Sequence, residues 1–390
     1  MKVLFYLPVV TPWWFDNIIE PMIRALATRC EIYVLAPAPW RGTGISAREL
    51  QRCVDLPGIH WCIMEGPDHP STRTMPETRA DMVAWVQDLA PDYVLCRSAD
   101  YDTVQAFPGT VKLLMEGRLE PFATPPWWIV FQDRPLDQGI LPQLSATERD
   151  ALVNSIAPAW THLHERHAAR PGQRENIFAR CGIAGDRPVL LVPLEYENED
   201  NFFTMHSIRT MPNHRLVAEL AARAGPDFTL VVTNHPLNDR HVDSAPLLAA
   251  IAELENVVLA PPVLGSLPAT LALAKHVDGM MLGDSKSFAQ GAFFGKPMLR
   301  QSRFRSGEWL KNYSDLDCFL HAVAAGEAER PSPEDALLWF AFYMANDAFD
   351  PNAADLGAGQ ILTHMERPVD SGRWEAGIAR LRLAAPALFA

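Results

Sequence analysis

Short apolar runs of a few residues, each handed on to a segment with helical spacing, constrain this chain more than any other feature. "KVLFYLPVV" is followed by "DNIIEPMIRALATR" and then by "EIYVLAP". That order is a β-α-β unit, and repeated it builds a parallel sheet covered by helices. The alternation continues through "GIHWCIM", "TRADMVAWVQDLA", "DYVLCR", "TVKLLME" and "WWIVFQD", stops, and later restarts. The interruption is the charged helical passage "SATERDALVNSIAPAWTHLHERHAARPGQRENIFARCGI". Beyond it come "VLLVPLEY", "HRLVAELAARA", "FTLVVTNHP", "NVVLAPP", "VDGMMLGDS" and "PMLRQ". A chain of 390 residues is too long for one typical core, so two α/β domains are expected.

The expected division is 1–150 for the first domain, 151–185 for a helical connector and 186–335 for the second domain. Residues 336–390 form helices that return to the first. Ligands of such sheets collect beyond the carboxyl ends of the strands, so strand ends are where chemistry is sought. The first loop, Val10 to Phe15, has no G-x-G-x-x-G, which excludes an ordinary dinucleotide site. A net charge of −13 argues against a general nucleic-acid binder. Six scattered cysteines form no C-x-x-C pair, and several in apolar runs, such as Cys96, read as buried free thiols. With no leader-like opening and no apolar run of about 18 residues, a soluble cytoplasmic protein is expected. Trp13-Trp14, Trp127-Trp128 and the apolar C-terminus leave a peripheral membrane contact open.

Three strand ends in the second half are chemically loaded. "LVPLEYENEDN" carries Glu195, Glu197, Glu199 and Asp200; "TNHP" carries Asn234, His235 and Pro236; "GDSKSF" carries Asp284, Ser285, Lys286 and Ser287. Each has an ordinary reading beside the functional one: a solvated acidic loop, a strand that happens to end in histidine, and serines that cap a helix. Chance alone supplies about one His-Pro among 12 His and 33 Pro, and a second lies at His69-Pro70, read as a turn.

The second half resembles the donor-binding domain of a GT-B glycosyltransferase, which has a strand, a serine-rich turn, a helix and then "GKP" before another strand. More narrowly, His-Pro at one strand end and a serine pair at a later one resemble the bacterial sialyltransferases and 3-deoxy-manno-octulosonate (Kdo) transferases. "VLLVPLEYENED" is similar to the strand and acidic loop of the retaining β-Kdo transferases of capsule and O-antigen assembly. The resemblance spans about 110 residues, 187 to 299.

It implies a GT-B fold: two Rossmann-like β/α/β domains, an interdomain cleft and C-terminal helices returning to the first domain. It implies a CMP-activated donor, best matched by CMP-Kdo, and a glycan or lipid-linked glycan acceptor in surface polysaccharide synthesis. No metal and no cofactor beyond the nucleotide-sugar are expected, since no His/Cys/Asp cluster has ligand spacing and "HLHERH" is not H-E-x-x-H.

His235, Ser285 and Ser287 would face the nucleotide phosphate, with Asn234, Pro236 and Lys286 beside them. In this family the serines are adjacent, whereas here Lys286 separates them, so one is free to point away. Asp200 is the expected nucleophile, with Glu199 and Glu197 behind it. His235, Ser285 and Ser287 should lie within about 15 Å of each other, wider than a helix with its side chains.

In the first domain, Glu116-Gly117 gives half of the acidic-acidic-glycine turn that holds the base in His-Pro sialyltransferases. Met115 beside it would desolvate the carboxylate and raise its pKa. A strand-end carboxylate binding backbone N–H is the rival reading. Trp13 and Trp14 read either as a sugar-stacking acceptor platform or as packing, and Arg97 and Asp100 as holders of acceptor hydroxyls. Lys286, Arg300, Arg303 and Arg305 could meet the carboxylate of Kdo.

Other readings stay open. "GDSKSFAQGAFFGKPMLR" is similar to the signature of non-hydrolysing UDP-GlcNAc 2-epimerases. Its glycines are replaced, however, Gln290 is displaced by one position, and no glutamates follow. A UDP- or GDP-sugar transferase and a non-catalytic sugar-binding scaffold are the remaining alternatives.

Overall fold

The computed structural model describes all residues except 41, 65–75, 98–100, 170–173, 198–207, 209–210 and 390. The chain divides into two compact units. The first comprises Met1–Arg118, Thr124–Pro135 and Tyr343–Ala384; the second comprises Leu119–Ala123, Leu136–Phe342 and Ala385–Ala390.

The first unit is built on a six-stranded sheet in the order β3-β2-β1-β4-β5-β6. Its strands are β1 (Lys2–Tyr6), β2 (Glu31–Pro37), β3 (Ile59–Met64), β4 (Tyr93–Cys96), β5 (Thr110–Glu116) and β6 (Ile129–Gln132). All neighbours are parallel except β5 and β6. Strand β1 is apolar on both faces because helices cover both: Val3, Leu4, Phe5 and Tyr6 are fully buried. After β1 the chain turns helical at Thr11, whose hydroxyl accepts the Trp14 N–H at 3.3 Å. Trp14, Phe15, Ile18, Ile19, Met22, Ile23 and Leu26 then recur at helical spacing and fill the core under the sheet.

The second unit carries an all-parallel sheet in the order β13-β12-β7-β8-β9. Its strands are β7 (Val189–Pro193), β8 (Thr229–Thr233), β9 (Val257–Leu259), β12 (Gly279–Leu282) and β13 (Met298–Arg300). Between β9 and β12 lies the small hairpin of β10 (Val263–Leu264) and β11 (Leu267–Pro268). Every residue of β7, β8 and β12 is buried, as strands covered on both faces must be.

Both sheets begin in the middle, run outward one way and return on the other side. Their order reverses between β1 and β4, and again between β7 and β12. These two points are where a doubly wound sheet opens a crevice for ligands. The two Rossmann-like α/β units agree with the fold class expected from the strand-helix alternation.

The division falls at 135/136 and 342/343 rather than at 150, 185 and 335. The helix Ala146–Ala169, read above as a connector, clusters with the second unit. Its buried stripe of Leu152, Ile156, Ala159, Trp160, Leu163 and His167 explains why. Trp160 packs 4.8 Å from Phe293 and 5.4 Å from Phe340.

The π-turn Tyr343–Asp347 of the first unit holds Asp347 half-buried, and its carboxylate accepts the Asn346 amide at 2.6 Å. Burial pushes the Asp347 pKa up to about 7 against the pull of Arg373. A raised carboxylate pKa means the folded state holds a proton that the unfolded chain releases. Its stabilisation is therefore full below pH 4 and fades as pH rises through about 7. Urea unfolding between pH 5 and 9 should show this fall in wild type and a flatter profile in Asp347→Asn.

Candidate functional site

In the second unit the candidate site lies at the carboxyl ends of β7, β8 and β12. Pairing is Pro193↔Thr233 between β7 and β8, and Met280↔Leu191 between β12 and β7. That register, continued, puts the three strand ends level. At about 4.8 Å per strand spacing, the ends of β8 and β12 are roughly 10 Å apart. One carries His235 and the other Ser285 and Ser287.

Beyond β7, Glu195 crosses to the β12 loop, where its carboxylate accepts the Asp284 N–H at 2.5 Å. Only glycine fits beneath it, because a Cβ at Gly283 would meet Glu195 Oε1 at 2.3 Å. The Glu195 carbonyl accepts the side-chain amides of Asn213 (2.9 Å) and Asn238 (3.0 Å), both buried. Asn238 also accepts the Glu197 N–H at 3.1 Å and donates to Asn234 Oδ1 at 2.9 Å. One buried amide thus ties the β7 loop to the β8 loop. The Glu197 carboxylate accepts the Asn213 N–H at the start of the helix Asn213–Ala224, whose N-cap, Pro212, has no side chain able to do so. Glu197 is therefore engaged in holding a helix end. Glu199, Asp200 and Asp100 lie outside the described residues.

His235 is half-buried, with Tyr196 stacked on it at 5.7 Å. The Leu237 N–H donates to its Nδ1 at 3.2 Å. An accepting Nδ1 places the proton of the neutral ring on Nε2, which is then a donor. Asn234 accepts the His235 N–H at 3.0 Å and donates to Asp239 at 2.6 Å, while Pro236 is exposed.

Ser285 Oγ donates to Ser287 Oγ at 3.0 Å and accepts the Ser287 N–H at 3.2 Å. The two hydroxyls therefore share one side of the turn despite the exposed Lys286 between them. Ser287 makes no side-chain cap to the helix Phe288–Phe293, whereas Ser285 caps the turn before it through the Ser287 N–H. Gln138 supports the turn from behind, donating to the Ser285 carbonyl at 3.0 Å.

Two members of the expected cationic cluster are committed elsewhere. Arg300 is buried and donates to Asp284 at 2.9 Å, to Ser306 at 2.9 Å, and to the carbonyls of Leu136 (2.6 Å) and Arg305 (2.7 Å). Desolvation lowers its pKa, opposed by Asp284. Arg305 holds Asp137 through Nε at 2.9 Å and Nη2 at 2.6 Å. Lys286 and Arg303 are exposed.

In the first unit the ends of β1, β4 and β5 bring Trp14, Arg97 and Glu116 together. Trp14 is buried in the core and carries the Arg97 guanidinium 3.8 Å above its ring. It is a floor for Arg97, so of the expected pair only Trp13, 43% exposed, offers a ring face to solvent. Arg97 is itself buried, and desolvation lowers its pKa to about 10, leaving it charged at neutral pH. Its guanidinium is 4.0 Å from the Glu116 carboxylate, whose side chain is 49% exposed. Met115 is buried beside it. Gly117 is required because a Cβ there would lie 2.8 Å from the Ile129 backbone. The Glu-Gly pair thus has a structural cause in the close approach of β6.

Trp128 is buried, and Trp127 is half-buried and donates to Asp350 at 3.1 Å. Among the described residues no helix is long and apolar enough to cross a membrane, and no His/Cys/Asp/Glu group could hold a metal. His164 of "HLHERH" stacks on Phe293 at 4.1 Å instead.

Asn213, Asn238, Gln138 and Tyr196 are the parts that sequence reading missed. Only Asn238, three residues after His235 in a strand-end turn, carries a local hint.

No family model and no curated protein matches the chain. Solved structures similar to it over most of its length include KpsC of Thermosulfurimonas dismutans, a β-Kdo 2,7 transferase. That protein is 11% identical over 94% of this chain and 98% of its own, with a TM-score of 0.48. Anabaena HepE, in complex with UDP and glucose, is 9% identical over 95% and 100%, with a TM-score of 0.35. The UDP-GlcNAc 2-epimerase of Methanocaldococcus jannaschii is 11% identical over 93% and 98%, with a TM-score of 0.30.

Proposed function

We propose that the chain is a GT-B glycosyltransferase that moves a sugar, Kdo, from CMP-Kdo to a glycan or lipid-linked glycan of a bacterial surface polysaccharide. The observation that carries this reading is the level placement of His235 and the Ser285–Ser287 hydroxyl pair on strands either side of β7. A leaving phosphate needs several donors fixed in advance. The Nε2–H of His235 and two serine hydroxyls supply that kind of set, and protonation of the ring would strengthen its bond to phosphate.

The donor sits at the carboxyl ends of the second sheet and the acceptor at those of the first, where Trp13 stacks on sugar and Arg97 orients Glu116. Asp200 attacks the anomeric carbon as CMP departs, giving a sugar ester. Glu116 takes the proton of the acceptor hydroxyl that displaces the aspartate. Lys286 and Arg303, both exposed beside the serine turn, would meet the Kdo carboxylate.

Calorimetry of the purified chain with CMP, UDP and GDP tests the donor. CMP should bind, and His235→Ala should weaken it by about tenfold or more, as expected for a lost charge-assisted bond. Binding of UDP without CMP would overturn the CMP-sugar assignment. Unchanged CMP affinity in His235→Ala would remove the histidine from the site.

A further inference from the structure

The first unit contains a concave site formed by residues between 349 and 380. It is a cavity of about 260 Å³ lined by Phe349, Leu356, Thr363, His364, Arg373 and Arg380, among others. That is a little below the roughly 300–1,000 Å³ of small-molecule pockets.

Its polar groups are unusually short of partners. Arg373 donates through Nη2 to the Pro368 carbonyl at 2.9 Å, but its buried Nε and Nη1 have no partner among the described residues. His364 is 8% exposed, and its Nε2 also has none. Buried polar groups without partners are rare, and each needs a cause.

The tautomer of His364 follows from geometry. Its Nδ1 lies 3.0 Å from the Gln360 carbonyl, which can only accept, so Nδ1 carries the proton and Nε2 offers a lone pair. Phe349 at 4.8 Å and Phe131 at 5.6 Å hold the ring. Burial, helped by Arg373, lowers the pKa of His364 to about 4, so the ring is neutral near pH 7.

The nearby carboxylates offset part of the arginines' charge, Asp347 and Asp370 toward Arg373 and Asp355 and Asp350 toward Arg380, but none is bonded to the open Arg373 Nε and Nη1 among the described residues. Asp350 accepts from Trp127 and Asn352, Asp355 from Gln360, and Asp370 from Gly372. Asp347 is pushed up to about 7. Two arginines beside one lone pair call for a ligand that is anionic and also donates a hydrogen bond. Carboxylate and sulfate lack that donor near neutral pH, whereas hydrogen phosphate keeps a P–OH, and phosphate suits the arginine fork.

We propose that this cavity binds a phosphate group together with a hydroxyl: Arg373 and Arg380 take the anionic oxygens and the hydroxyl donates to His364 Nε2. The hydroxyl belongs either to inorganic phosphate itself or to the body of a small phosphorylated polyol. This site is independent of the sugar-transfer reading.

Calorimetry of the full chain with inorganic phosphate, glycerol phosphate and sulfate, at fixed ionic strength near neutral pH, tests it. Phosphate or glycerol phosphate should bind in the millimolar range or tighter, and sulfate about tenfold more weakly. Tighter binding of glycerol phosphate identifies a phosphorylated polyol, and tighter binding of phosphate identifies the free ion. Arg373→Gln should lose about tenfold or more in affinity. Ala376→Trp fills the cavity wall without altering a charge and should abolish binding, which decides the matter if Arg373→Gln does not fold. The proposal is overturned if neither phosphate probe binds, if sulfate binds as well as phosphate, or if folded Ala376→Trp binds undiminished.

Discussion

Arg300→Met should destabilise the second unit by about 3–5 kcal/mol, the usual cost of removing one partner from a buried ion pair. Arg300 is 4% exposed, and its guanidinium spans three segments: the β12 loop at Asp284, the 305–306 turn and the carbonyl of Leu136. Methionine fills much of the same volume but donates nothing. Asp284 would then keep Ser302, at 2.5 Å, and lose its only cation within 4 Å among the described residues. The carbonyls of Leu136, Gly283, Phe304 and Arg305 would also lose a donor. Lysine is no substitute, because one ammonium cannot reproduce the planar fork.

The β12 loop carries Ser285 and Ser287, so nucleotide affinity should fall along with stability. Urea unfolding and CMP calorimetry on the same samples read both. Adding Asp284→Asn to Arg300→Met should recover part of the stability, since it removes the charge left unpaired. A loss below about 1 kcal/mol in the single variant would place it among ordinary surface changes and end the view of Arg300 as the anchor of the serine turn.

Much of the architecture is legible in the sequence because a parallel sheet writes itself locally. Runs such as "VLLVP" and "FTLVVT" are apolar at every position, and helical spacing fills the gaps between them. The strand ends are legible for the same reason: Asn234-His235-Pro236 cannot prolong a strand. Trp14 was also within reach. It stands four residues before Ile18 and eight before Met22, on the apolar face, while Trp13 is off it.

The contacts that finish the site are not local. Glu195 reaches Asp284 across 89 residues, Gln138 reaches Ser285 across 147, and Arg300 reaches Leu136 across 164. No window of sequence contains both partners, so Arg300 and Arg305 read as free cations beside a serine turn. The connector was misplaced by the same limitation. Charge on the outer face of the helix Ala146–Ala169 hides the stripe that buries Trp160 among Phe293 and Phe340.

Under the retaining mechanism proposed here, Glu116→Gln should lower turnover by about 10²–10⁴-fold, the range for a general acid or base, with KM little changed. The side chain is half-exposed at the end of β5, within reach of solvent-borne substrate, and Arg97 holds it from one side at 4.0 Å. The rival role is electrostatic. Arg97 is buried over Trp14, and Glu116 is a carboxylate close enough to offset its charge.

The two roles separate cleanly. A base gives lost turnover with stability nearly kept; a counter-ion gives lost stability with turnover nearly kept. Asp200→Asn supplies the second half of the test. Wild type incubated with CMP-Kdo should show a protein mass increased by one Kdo residue, and Asp200→Asn should show none. Glu116→Gln should retain or accumulate that adduct, because its defect falls on the acceptor step. If Asp200→Asn transfers as well as wild type, Asp200 is not the nucleophile. If Glu116→Gln keeps full turnover and loses stability, Glu116 is a counter-ion and the acceptor proton goes elsewhere.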